Sequence, residues 1–275
     1  MPFLSHDGVS LRYDRTGSGP AVLLIHGWTC NRTFWERQVQ ALRDRHTVIA
    51  VDLRGHGESS HPRTGYAIGR LAGDLEHLVR ALAVPRIALV GWSMGSMVAL
   101  ELAARLGGRA SALALVGGTA GGLSDANNPA RLDPARVATT KQELQADCRA
   151  FLRGFAPAFF KRGTESPLLA WTSGQMQKTP PHVVEACLDA LLAFDAREAV
   201  GALTVPTAVL HGRSDGVFPL AHGEALTAAI PGARLTVFED SGHAPHLEEP
   251  DAFNKALGQA LGQALGQALG ALLSR

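Results

Sequence analysis

Short apolar runs alternate with longer stretches of helical spacing along most of this chain. Ala21-Val22-Leu23-Leu24-Ile25 is continuous and rich in branched side chains, as are Val48-Ile49-Ala50-Val51, Ile87-Ala88-Leu89-Val90 and Ala112-Leu113-Ala114-Leu115-Val116. Runs of this kind predict strands buried on both faces, as in a parallel sheet. Between them, Phe34 to Leu42, Ile68 to Leu82 and Met94 to Leu106 repeat their apolar residues with helical period, and Asn31 is placed to cap the first. Val9 to Tyr13 alternates and is stopped by Gly17-Ser18-Gly19-Pro20, which predicts an early strand or hairpin arm. Strands interleaved with helices at this pitch predict an α/β class: a mostly parallel sheet with helices on both faces.

The pattern changes near Gly121-Gly122. From about Ser124 to Val200 no buried strand is predicted; Arg136 to Phe155, Pro167 to Gln177 and His182 to Phe194 read as helices, punctuated by Pro129, Pro134, Pro157, Pro167 and Pro180-Pro181. The sheet then resumes with Thr207-Ala208-Val209-Leu210 and Arg234-Leu235-Thr236-Val237-Phe238. The organisation expected is a core of residues 1–122 and 201–275 with a helical lid, 123–200, inserted over the carboxyl edge of the sheet. In the tail, Ala-Leu-Gly-Gln repeats place Leu257, Leu261, Leu265 and Leu269 on one ridge of a helix. This reads as a slipped repeat extending the last helix, rather than as a small-residue interaction face.

Composition narrows the function. There are 26 Lys and Arg against 25 Asp and Glu, a formal charge of +1, which argues against a general nucleic-acid partner. The three cysteines, Cys30, Cys148 and Cys187, are too few and too scattered for a disulfide framework or a zinc site. No secretory signal or apolar span of roughly 18 residues is visible, so a cytoplasmic location and no membrane partner are expected.

Chemistry concentrates after the strands. Gly91-Trp92-Ser93-Met94-Gly95 joins a predicted strand to a predicted helix, the setting in which Gly-x-Ser-x-Gly turns sharply and lifts the serine hydroxyl out of the sheet. The helix end behind Ser93 favours negative charge developing there. A serine needs a base. Among 11 histidines, His243 follows the last strand and so lies at the same edge as Ser93. His26 and His211 also follow strands but stand in His-Gly pairs and read as turn-stabilising; His246 is read as a neighbour. Asp215, in the loop after Thr207 to Leu210, is placed to orient the base; Asp195 reads as an anchor of the lid and Asp240 as a local partner. Backbone N–H groups of Met94 and Trp28 are the expected oxyanion donors. The indoles of Trp28 and Trp92 either line the pocket or simply pack beneath it.

Taken together, His26-Gly27-Trp28, Asp52 to Ser59, Gly91 to Gly95, Gly212 to Asp215, and Gly242-His243 with Glu248 and Pro250 resemble the α/β-hydrolase fold family over nearly the whole chain. The order Ser93, Asp215, His243 is that family's order. The pieces are most similar to carboxylesterases of the pimeloyl-carrier-protein methyl ester type, and in part to arylesterases with haloperoxidase-like side activity. The resemblance implies a serine carboxylesterase using water as acyl acceptor and no cofactor. Ser96 stands where the family usually has Gly. Lactonases, carbon–carbon hydrolases and acyltransferases keep the same triad, and a non-catalytic ligand receptor is an alternative from another class.

The lid carries the substrate information. Arg149, Arg153, Lys161 and Arg162 form either a docking patch for an acidic acyl carrier protein or carboxylate-bearing acyl chain, or a solvated face. Phe155, Phe159 and Leu169, with Leu152, Phe160, Leu168 and Trp171, either line an acyl pocket for a small-molecule ester or pack the lid onto the sheet.

Overall fold

The continuous apolar runs become the inner strands of one sheet, because a strand with no polar residue on either face must be covered on both. A computed structural model describes residues 2–126 and 131–273, with side chains through Gly262. The strands are β1 (Phe3–His6), β2 (Val9–Thr16), β3 (Ala21–Ile25), β4 (Thr47–Val51), β5 (Ile87–Trp92), β6 (Ala110–Val116), β7 (Thr207–Gly212) and β8 (Arg234–Phe238). They form an eight-stranded sheet in the order β1-β2-β4-β3-β5-β6-β7-β8. Pairing is antiparallel for β1 with β2 and for β2 with β4, and parallel from there on. β3 and β4 are buried along their whole length.

The helices are α1 (Glu36–Leu42), α2 (Ile68–Ala81), α3 (Met94–Leu106), α4 (Pro134–Phe155), α5 (Leu169–Met176), α6 (Pro181–Ala193), α7 (Leu220–Ala229), α8 (Pro245–Glu248) and α9 (Pro250–Leu273). Three of these, α4 to α6, fall in the predicted strand-free stretch between β6 and β7. The helix predicted from Phe34 begins as a 3-10 turn, Arg32–Trp35, and the Asn31 side chain caps that turn by accepting from the Thr33 N–H. The helix predicted for Arg136 to Phe155 is present but broken. Asp147 leaves helical geometry (φ −155°, ψ 90°), and its Oδ1 accepts from the Ala150 N–H at 2.9 Å, restarting the helix as an N-cap would. Helix α7 was not foreseen.

The tail repeat continues α9 without interruption. Leu257 and Leu261 are buried, and a Cβ added at Gly258 or Gly262 would meet open space. Packing within the chain therefore does not require those glycines. Leu265 and Leu269 lie outside the described side chains, and Pro129 outside the described residues. Among the described residues, no helix is long and apolar enough to cross a membrane.

Candidate active site

The turn after β5 is tight because two backbones need the same space. A Cβ on Gly91 would lie 2.2 Å from the Gly95 carbonyl oxygen, and one on Gly95 would lie 2.3 Å from that of Ile25. Between them Ser93 sits at φ 56°, ψ −120°, a left-handed conformation for a residue with a side chain. Such geometry costs on the order of 1–3 kcal/mol and persists only where neighbours enforce it. The Ser93 N–H bonds the Val116 carbonyl at 2.8 Å, and its own carbonyl accepts from Ser96 N–H (2.9 Å) and Ser96 Oγ (2.6 Å). Ser96 thus ties the turn to α3. A Cβ on Gly118 would meet Ser96 Oγ at 2.3 Å, so the serine hydroxyl takes up the room that this glycine leaves.

The loops after β7 and β8 bring Asp215 and His243 to the same edge. His243 Nδ1 donates to Asp215 Oδ2 at 2.8 Å, with both side chains fully buried. His243 Nε2 has no hydrogen-bond partner among the described residues. Ser93 and His243 line one cavity of about 410 Å³. Gly117, at φ 49°, lies beneath the pair: a Cβ there would fall 3.1 Å from His243 Nδ1 and 3.3 Å from Asp215 Oδ2. Its position after β6 carried no motif, so sequence reading passed it over.

Asp215 is more heavily tied than a single histidine partner implies. Its Oδ1 accepts from the Val217 and Phe218 N–H groups, each at 2.8 Å. His211 Nε2 lies 2.8 Å from the Phe218 carbonyl and 3.2 Å from Asp215 Oδ2, sharing its N–H between them. Burial alone would push the carboxyl up. The His243 charge and the His211 and His243 hydrogen bonds overcome that and hold it well below the usual carboxylate range. His211, expected only to steady a turn, therefore touches the acid itself.

His246 separates cleanly from His243. It is fully buried, its ring packs on Trp92 and Trp35 at centroid distances of 4.5 and 4.6 Å, and neither ring nitrogen has a hydrogen-bond partner among the described residues. Burial, with His243 nearby, holds it neutral, its pKa well below the histidine range. Trp92 does more than fill space: its Nε1–H bonds the His243 carbonyl at 2.8 Å while its ring lines the cavity. The His243 loop is further gripped by Glu248, which accepts from the Gly242 and Lys161 N–H groups, and by Glu249, which accepts from Asp240 N–H and Ser241 Oγ–H.

The His26-Gly27-Trp28 loop packs directly on the serine turn, since a Cβ on Gly27 would be 3.1 Å from Ser93 Cβ. His26 Nδ1–H donates to the Gly27 carbonyl at 2.8 Å, and its Nε2 accepts from Leu53 N–H at 3.0 Å. His56 Nδ1–H donates to the Arg54 carbonyl, and its Nε2 accepts from Thr29 N–H. Both rings are fully buried, which pulls His26 down to about 4 and His56 to about 3. Thr29 is itself left-handed (φ 62°), with its Oγ–H on the Trp28 carbonyl at 2.6 Å. The peptide after Trp28 is thereby fixed, and the one before it, which carries the Trp28 N–H, is held by His26 through the Gly27 carbonyl.

Of the predicted pocket residues, Trp28, Trp92, Phe155 and Phe159 line the cavity. Leu169 does not: it opens α5 and packs against the core instead. Sequence reading missed Leu123, Leu132, Phe151, Leu188 and Phe218, together with Arg136 and Thr140, which all line it. The four basic residues are elsewhere. Lys161 Nζ is taken by Asp240 at 2.8 Å and by the Glu239 carbonyl, Arg153 reaches Gln177, and Arg162 lies 3.8 Å from Glu165. Asp195 pairs with Arg197 and bridges to Gly121 at the foot of the insertion, far from Asp215 in role.

Ser93 on its strained turn and the His243–Asp215 pair thus meet at one edge of the sheet. Residues 20–250 match the family model described as alpha/beta hydrolase fold, and the chain belongs to that family. It is 29% identical to the pimeloyl-[acyl-carrier protein] methyl ester esterase of Nitrosomonas europaea, over 89% of this chain and 96% of that protein. It is also 29% identical to 3-oxoadipate enol-lactonase 2 of Acinetobacter baylyi, over 92% of this chain and 94% of that protein. Among solved structures, the esterase from Exiguobacterium antarcticum superposes with a TM-score of 0.90 at 30% identity, covering 94% of this chain and 98% of that one.

Proposed function

We propose that the protein is a serine carboxylesterase acting on small to medium acyl esters. One observation carries the reading: Ser93, held at positive φ on the serine turn, lines the same cavity as His243, whose other nitrogen is bound by a doubly tied Asp215. In this reading His243 Nε2 takes the Ser93 proton as the hydroxyl attacks the ester carbonyl. The Met94 and Trp28 N–H groups receive the oxyanion, at a helix N-terminus and on a peptide whose Gly27 carbonyl is held by His26 Nδ1–H. The imidazolium then gives its proton to the leaving alcohol, and water, activated by the same imidazole, releases the acid from the acyl-enzyme. Asp215 stays ionised and stabilises the imidazolium. The segment 123–200 acts as a lid whose aromatic side chains hold the acyl chain.

Likeness to an esterase and to an enol-lactonase alike favours ester hydrolysis first and a cyclic ester as the second reading. Delivery by an acyl carrier protein would rest on Arg149 and Arg153, since Lys161 is engaged by Asp240. The test is a pre-steady-state burst with p-nitrophenyl acetate and butyrate, together with labelling of Ser93 by a fluorophosphonate. A burst and a label on Ser93 are expected. Wild-type turnover by Ser93→Ala would end the assignment, and binding of esters without turnover or label would move the protein to the receptor class.

A further inference from the structure

Among the described residues, the wall of the cavity above Ser93 holds one cation, Arg136, and no anion. The surface facing Ser93 from the insertion is apolar, with Leu132, Phe151, Phe155 and Leu188 prominent in it. Into this wall α4 brings Arg136 and, one turn on, Thr140. The insertion's other well-placed arginine, Arg197, is saturated by Asp125 and Asp195. The Arg136 guanidinium, by contrast, has no hydrogen bond or ion pair among the described residues. Asp133, three residues earlier, spends its carboxylate capping α4 through the Ala135 N–H. Among the described residues no Asp or Glu lines the cavity, and Asp215 is buried behind His243. An arginine can lay its methylenes on an apolar wall while its head stays at the rim, where a carboxylate is received through paired N–H donors.

We infer that Arg136, with Thr140 beside it, forms an anion-recognising subsite, and that the preferred substrates are esters whose acyl chain ends in a free carboxylate. The inference rests on the esterase reading and adds the substrate class to it. The ester carbonyl lies at Ser93, the methylenes run along Phe151 and Phe155, and the far carboxylate meets Arg136. Hydrolysis is otherwise unchanged: the acyl–oxygen bond breaks, the alcohol leaves with its proton, and water supplies the second carboxylate of the product. The basic residues between 149 and 162 line no part of this cavity, so they are not this subsite.

The experiment compares mono-p-nitrophenyl esters of linear dicarboxylic acids, in a series of chain lengths, with the same esters methyl-capped at the free acid. Wild type should favour the free acid over its capped twin by about tenfold in kcat/KM at the best length, mainly through KM. The ratio should shrink with added salt, collapse to near unity in Arg136→Gln and persist in Arg149→Gln. An unchanged ratio in Arg136→Gln, or a wild-type preference for the capped esters, overturns the subsite. Calorimetric titration of Ser93→Ala with a dicarboxylate monomethyl ester and its dimethyl ester reads the subsite without turnover. Preference for the monomethyl ester that is lost on adding Arg136→Gln supports it even where the esterase reading fails, and equal binding of the two esters overturns it.

Discussion

At the carboxyl edge of the sheet the loops around Ser93 are held by hydrogen bonds, whereas the insertion across the cavity offers mostly apolar walls. On the sheet side, Asp215, His211, His26, His56, Glu248 and Ser96 each fix a loop through bonds of 2.6–3.3 Å. The insertion is tied to the core around its margin, by bonds such as Trp28 Nε1–H to the Val184 carbonyl, Thr179 Oγ–H to the Thr29 carbonyl, Asn31 to Gln175, Lys161 N–H to Glu248 and Ala244 N–H to the Phe159 carbonyl, but the wall it turns to the cavity is mostly apolar. Hydrogen-bonded loops hold atoms to a few tenths of an ångström, which proton transfer needs. Apolar contact is non-directional and tolerates varied chains, which suits a site that must only enclose. The difference separates chemistry from selectivity, and each half is open to its own test.

The largest effect belongs to the sheet edge. Ser93→Ala should keep its Tm and lose about four orders of magnitude in kcat on nitrophenyl esters. His243→Ala should follow it, while His246→Leu should remain within a few-fold of wild type, because no His246 ring nitrogen has a partner among the described residues. Equal damage from the two histidine variants would erase the distinction between them.

Stability should fall with acid, and through the same edge. His26 and His56 are held neutral, at about 4 and about 3, whereas the unfolded chain takes up these protons near 6.5. Below about pH 6.5 the unfolded state binds more protons than the folded one, so stability drops. Between pH 7 and pH 5 each ring should remove about 2 kcal/mol, read as a falling urea midpoint. A midpoint flat over that range would break the account of how the Trp28 loop is held.

His211→Leu should lower kcat roughly ten- to a hundredfold and leave KM within a few-fold. Without its N–H, Asp215 keeps more negative charge toward His243, stabilising the imidazolium and moving the acid limb of the kcat/KM profile to higher pH. His211→Gln, which can still donate, should recover much of both. A purely structural role would lower yield and Tm without moving the limb. The smallest effect lies across the cavity. Phe155→Ala should raise KM about three- to tenfold for the longer acyl esters and change kcat little. A loss concentrated in kcat would mean that the insertion positions the reacting atoms after all.

Legibility in the sequence followed the same division. The serine turn could be read because Gly91, Ser93 and Gly95 are neighbours in the chain and the strain they accommodate is local. The buried strands could be read from composition alone, since β-branched runs admit few other placements. The kink at Asp147 was missed because its cap lies inside an otherwise helical pattern. Leu169 was placed in the pocket wrongly and Arg136 not at all, since helical spacing says which face a residue occupies but not what lies opposite it.

By itself the sequence determined the alternation of strands and helices and the serine turn, because each depends on residues close together in the chain, and it marked Asp215 and His243 only through the strands that precede them. Only the tertiary structure decided that Asp215 serves two histidines, that Gly117 must be small beneath them, and that Arg136 opens onto the cavity. Those facts join residues from four to more than a hundred positions apart, and their distances are set by how sheet, loops and insertion pack, which no local pattern encodes.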